Sequence, residues 1–111
     1  MERLEDRAEL AETIAAAEER GWKVARVRLD LARSKGGLFE AWNAVLPFPS
    51  WFGWNWDAFA DCAFESADGP LLVILDGWRA FEDADPAAWT TLSSIVLELA
   101  PIARARVLLA E

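Results

Sequence analysis

The chain has 111 residues, 54% hydrophobic and 27% charged, which suits one domain with a single core and excludes a disordered or low-complexity segment. With no His and a single cysteine, Cys62, it can form neither an intramolecular disulfide, a Cys/His zinc cluster nor an imidazole-based nucleophilic triad. A net charge of −8 argues against binding nucleic acid directly through its phosphates, and the charged N-terminus and lack of any apolar run of membrane-spanning length make cytoplasmic residence, with no membrane partner, the expectation.

Leu4 to Arg20 is rich in Ala and Glu and free of Gly and Pro, with Leu10, Ile14 and Ala17 on one stripe, so it reads as a helix stopped by Gly21. From Val24 to Leu29 the period changes to two. Ala25, Val27 and Leu29 alternate with Arg26 and Arg28, the pattern of a half-buried strand at a sheet edge, where the arginines discourage further pairing. Leu31 to Gly37 reads as a loop with Ser34 as a possible cap. Leu38, Trp42 and Val45 then repeat at helical spacing until Pro47 and Pro49 force an extended turn.

Pro70 to Leu75, bounded by Asp68-Gly69 and Asp76-Gly77, has five consecutive apolar residues and predicts a central strand covered on both faces. Asp85-Pro86 is an N-cap followed by proline at the first helical position, and the helix can run to Ala100 before Pro101, with a core stripe of Leu92, Val96 and Leu99. Arg106 to Ala110 reads as a last strand. Three strands separated by helical segments imply an α/β fold with a small parallel sheet in the order 1-2-3. The expected organisation is a single domain over residues 1–111, with the first 21 residues as an additional N-terminal helix.

The excess negative charge is regional. Residues 1–35 carry eight acids and eight bases, whereas residues 36–103 carry ten acids and one base, Arg79, as expected if one surface faces a cationic partner. Phe48 to Cys62 gathers aromatics and acids without a positive charge. With Asn55 as N-cap, a helix to about Phe64 turns Trp56, Phe59 and Ala63 inward and lines up Asp57, Asp61 and Glu65 at successive i, i+4 positions outside.

Like charges at that spacing cost a helix roughly 0.2 to 0.5 kcal/mol per pair, and only Asp57, in the first turn, gains from the helix dipole. A solvated acidic face is the bland reading of this row. Two features favour a binding face. Trp51 and Trp54 lie in a Pro/Gly turn, where aromatics beside charges resemble the composition of protein interfaces, and Glu98 is the one charge between Pro86 and Ala100, in a polar stripe with Ala87, Thr91 and Ser94. An enzyme using Asp57 and Asp61 as an acid/base or magnesium pair is disfavoured, because the chain has no glycine-rich phosphate loop and no basic residue nearby. Cys62 reads as a small half-buried hydrophobe on that helix.

The run Trp51-Phe-Gly-Trp-Asn-Trp-Asp-Ala-Phe-Ala-Asp61 resembles the signature of the barstar family: an aromatic pair, Gly, any residue, Asn, a hydrophobe, Asp-Ala, a hydrophobe, any residue, Asp. Pro70-Leu-Leu-Val-Ile-Leu-Asp-Gly-Trp-Arg-Ala-Phe81 is similar to the family's central strand and the turn after it. The likeness spans roughly Lys23 to Ala110 and leaves the first helix outside.

The resemblance implies a barstar-like two-layer fold, a three-stranded parallel sheet packed with helices. It also implies a role: barstar-like proteins are small intracellular inhibitors that occlude the active site of a secreted ribonuclease related to barnase. They are not enzymes, use no cofactor or metal, and would bind the basic nuclease as a monomer, one to one. Carried over by motif position, Trp51 is the aromatic that contacts the nuclease, and Gly53 and Asn55 belong to the binding turn. Asp57 and Asp61 are the acidic anchors, with Asp61 entering the phosphate-binding centre. Glu98 corresponds to the family's acid on a later helix, without a motif to set its register. Ala60 replaces a contacting Trp, and Trp54 and Trp56 replace an acid and a Leu, changes that bear on which partner is bound. The alternative is a barstar-fold interaction module that docks a different basic protein or toxin nuclease through the same helix.

Overall fold

A computed structural model describes residues 1–65 and 69–111. Asp68, expected to bound the central strand, lies outside the described residues.

The sheet is built on β3 (Leu71–Asp76), which lies between β2 (Lys23–Arg28) and β4 (Ala105–Ala110), both parallel to it. In register, Ala25 pairs with Val73 and Val73 with Val107. These three strands stand in the expected order. A fourth, β1 (Glu2–Arg3), pairs in parallel with Leu108 and Leu109 on the far side of β4. Glu2 and Arg3, within the first 21 residues expected as an additional helix, are therefore sheet. The Leu4 amide donates to the Leu109 carbonyl at 2.9 Å and its side chain is buried, so the helix starts only after Asp6. Two residues are too few to show an alternation, which is why this strand carried no signal.

β3 explains its own composition. Leu71, Val73 and Leu75 point into one apolar cluster, Leu72 and Ile74 into another, and none of the five is more than 1% exposed. Each such side chain contributes about 1.5 to 3 kcal/mol when removed from water. The second cluster is closed by α1 (Arg7–Glu19), which lays Leu10, Ile14 and Ala17 on the sheet. Asp6 caps it, accepting from the Ala8 amide at 2.8 Å, and Gly21 ends it at φ +78°. The additional N-terminal segment thus forms a third layer over a sheet face that apolar Leu72, Ile74 and Leu108 would otherwise leave open.

The opposite face carries the remaining helices. In α2 (Lys35–Val45) the residues Lys35 to Gly37, expected in a loop, form the first turn, because the Ser34 hydroxyl accepts from the Gly37 amide at 3.3 Å. α3 (Trp56–Cys62) follows the loop of residues 47–55. α5 (Pro86–Leu99) starts at the Asp85 cap as expected and buries Leu92 and Val96, with Leu99 half-buried.

α4 (Trp78–Ala84) is a helix where the sequence leads one to expect only the turn after the central strand. It is seven residues long and its N-cap, Gly77, offers no side-chain acceptor, so neither periodicity nor capping marks it. It is held by Trp78 and Phe81 in the core and by the Arg3 and Arg79 guanidiniums, 4.9 and 4.7 Å from the Trp78 ring.

Beyond the sheet, ion pairs sit at its margins. Arg26 meets Asp76 at 2.9 Å across the β2–β3 pair, and Arg106 meets Glu2 at 2.8 Å across the β4–β1 pair. Arg79 pairs with Glu111. Arg28 makes two hydrogen bonds to Asp30, which hold the Asp30 carboxyl below its ordinary range against the opposing effect of burial.

Candidate functional site: an acidic helix on an aromatic base

The loop that leads into α3 is fixed at both ends. Asn43 Oδ1 accepts from the Phe48 amide at 2.8 Å, and the Pro49 carbonyl accepts from the Phe52 amide at 3.0 Å. Phe48 and Phe52 stack with centroids 3.9 Å apart. At the centre of the cluster is Phe39 of α2, which is 1% exposed and touches Phe52, Trp54, Trp56 and Phe59. Trp51 and Trp54 are the two aromatics left in solvent, 68% and 50% exposed.

Trp54 adopts φ +54°, a left-handed conformation that a bulky side chain seldom takes. The neighbours on either side impose it. Asn55 caps α3, its Oδ1 accepting from the Ala58 amide at 2.8 Å, while its Nδ2 donates to the Gly53 carbonyl at 3.2 Å, closing the loop around Trp54. A Cβ on Gly53 would come within 2.9 Å of that Nδ2. The reason for glycine here is room for the capping amide.

α3 has the orientation its wheel predicts. Phe59 and Ala63 are buried, Trp56 is half-buried, and Asp57, Asp61 and Glu65 are exposed. The helix ends at Cys62 rather than Phe64, and residues 63–65 form a turn in which the Glu65 amide donates to the Cys62 carbonyl at 3.2 Å. Phe59 sits between the rings of Phe39 and Trp42, at 5.4 and 4.9 Å, and the Trp42 indole donates to the Ala63 carbonyl at 2.8 Å. A short helix is thereby clamped at both ends and in the middle, which presents its outer carboxylates on a rigid base.

Among the described residues, no cation lies within 4.0 Å of the carboxylates of Asp57, Asp61, Glu65 or Glu98. Their negative field reaches inward. Cys62 is 1% exposed, and burial first, then Glu65 and Asp61, push its thiol up, so the proton stays on sulfur. Among the described residues no three His, Cys, Asp or Glu side chains converge as a metal site.

Of the residues singled out in sequence, Trp51, Gly53, Asn55, Asp57 and Asp61 fall on one continuous loop and helix. Glu98 is exposed on α5, one residue before Leu99, which lines a surface depression together with Asp61. Sequence reasoning missed Trp42 and Ile102. Trp42 read as a plain core residue, and its indole bond to α3 has no local pattern. Ile102, 79% exposed beside that depression, follows a helix stop and looks like loop filler.

A search of curated proteins returned no match. The family model described as Barstar (barnase inhibitor) matches residues 22–108, which contain β2, β3, α2 to α5, the first four residues of β4 and the whole acidic loop and helix, and leave β1 and α1 outside. That match covers most of the sequence, and the chain belongs to the barstar (barnase inhibitor) family.

Proposed function

We propose that this chain is a stoichiometric, intracellular inhibitor of a barnase-like ribonuclease and blocks the nuclease active site with α3. The observation that carries the reading is the row of unpaired, exposed carboxylates Asp57 and Asp61 on a helix clamped to the core, inside the segment matched by the family. A nuclease active site holds Arg and Lys for an RNA phosphate. A carboxylate can replace that phosphate through two parallel charge-assisted hydrogen bonds to Arg, so Asp61 is assigned the central contact and Asp57 its flank. Trp51 contributes apolar area at the rim, Gly53 and Asn55 set the shape of the loop, and Glu98 adds a second acid from α5. The protein acts by occupancy, without catalysis of its own.

The test is an RNA-cleavage assay with calorimetry against ribonucleases of the barnase class. Wild type should inhibit at one to one, Asp61→Ala should bind about 10- to 100-fold more weakly, and the association rate should fall as salt rises. If no nuclease of that class binds, and Asp61→Ala changes no interaction, the reading fails.

A further inference from the structure

Beside Asp61 the surface is apolar. α3 and the turn after α5 enclose a depression of about 210 Å³ lined by Ala60, Phe64, Leu99 and Ile102, with Asp61 and Glu65 on its rim. Among the described residues, neither Leu99, which is half-buried, nor Ile102 belongs to the two core clusters. Ile102 is the most exposed large apolar residue among those described, at 79%. The turn that carries it is held in place, with the Ala103 amide donating to the Leu99 carbonyl at 3.0 Å, the Ala105 amide to Ala100 at 2.9 Å, and Arg104 at φ +58°. α3 contributes the small side chain of Ala60 to the lining.

We propose that this depression receives an apolar side chain of the nuclease, adjacent in that partner to the cations that engage Asp61, and that this contact selects which nuclease is bound. The proposal rests on the inhibitor reading. Asp61 belongs to both the acidic row and the rim, so a surface close enough to pair with Asp61 covers the depression as well. Among the described residues the lining holds two carboxylates and no base, which favours an occupant such as Leu, Ile or Phe flanked by Arg or Lys and disfavours one flanked by acids. A polar occupant would gain less than an apolar one from Phe64 and Ile102, which offer it no hydrogen bond.

The experiment titrates the isotope-labelled full chain with three capped tripeptides and follows amide resonances by NMR. The Arg-Leu-Arg peptide is expected to shift Ala60, Phe64 and Ile102 saturably, with the Arg-Ser-Arg and Glu-Leu-Glu peptides at least about tenfold weaker. Ala60→Phe, which fills the depression, should make the Leu and Ser peptides equal. Ile102→Ser, at an exposed site, gives the same readout without risk to the core. Equal binding of the Leu and Ser peptides to wild type, or shifts confined to other surfaces, overturns the proposal. With any ribonuclease that wild type inhibits, Ile102→Ser should weaken inhibition about tenfold, and unchanged inhibition overturns it as well. Failure of the inhibitor reading looks different: wild type then inhibits no ribonuclease of the barnase class, whatever the peptides do.

Discussion

The indole Nε1 of Trp42 donates to the carbonyl of Ala63 at 2.8 Å, joining the middle of α2 to the end of α3. Both residues are buried, at 0% and 1% exposure. The carbonyls of a helix's last turn have no partner within the helix, so this one depends on Trp42. Trp42→Phe keeps an aromatic ring against Phe59 but leaves the carbonyl unpaired in the interior. The expected cost is about 1 to 3 kcal/mol from the orphaned acceptor, with more from the smaller ring. Urea unfolding should show a lower midpoint at an unchanged slope. An unshifted midpoint would mean that another donor replaces the indole.

Gly77 and Gly21 share φ +78° but not their surroundings. A Cβ on Gly77 would lie 2.4 Å from the Asp30 Cβ and 2.8 Å from its backbone, whereas nothing lies within 4 Å of a Cβ on Gly21. Gly21→Ala should therefore cost only the left-handed penalty of about 1 to 2 kcal/mol. Gly77→Ala adds a clash with backbone that cannot rotate away, about 1 to 3 kcal/mol more, and should separate α4 from the turn after β2. Thermal melts of the two variants compare strain alone with strain plus contact. Equal losses would show that the Asp30 turn yields without cost.

The parts of the fold that were legible are those whose signal is local and repeated. Five apolar residues at Leu71–Leu75 can be satisfied only by cover on both faces, and the alternation of Ala25 to Leu29 only by a strand with one wet side. Asp85-Pro86 and Asn55 mark helix starts because a cap must occupy a set position relative to the amides it accepts from. β1 and α4 were not legible, since two residues show no period and a helix that begins at glycine has no side-chain cap. Distant partners hold them, Leu109 for the first strand and Arg3 over Trp78 for the helix.

The acidic face was legible as a row and its support was not. Asp57 and Asp61 stand out because the spacing that exposes both is unfavourable for a helix alone. The depression next to Asp61 joins α3 to a turn some forty residues later in the chain, a juxtaposition only the folded structure reveals. The left-handed Trp54 is equally hidden, because its φ is imposed by hydrogen bonds on either side of it.

Asn55 is where the loop and the helix depend on one side chain. Its Oδ1 satisfies an amide in the first turn of α3, and its Nδ2 holds the Gly53 carbonyl, so Asn55→Ala removes both bonds at once. The cap alone is worth about 0.5 to 2 kcal/mol, a large share for a helix of seven residues. Asn55→Asp keeps the acceptor and adds a charge favoured at a helix N-terminus, but it loses the donor to Gly53 and so releases the loop. Melting temperature should fall in the order wild type, Asp, Ala. Hydrogen exchange separates the two roles: Ala58 should lose protection in the Ala variant and keep it in the Asp variant. Gly53→Ala attacks the same unit from the other side, because its Cβ displaces the Asn55 amide group and should expose the Ala58 amide to exchange. If Ala58 stays protected in Asn55→Ala, the aromatic packing of Phe59 against Phe39 and Trp42 holds α3 without its cap, and Asn55 serves only the loop.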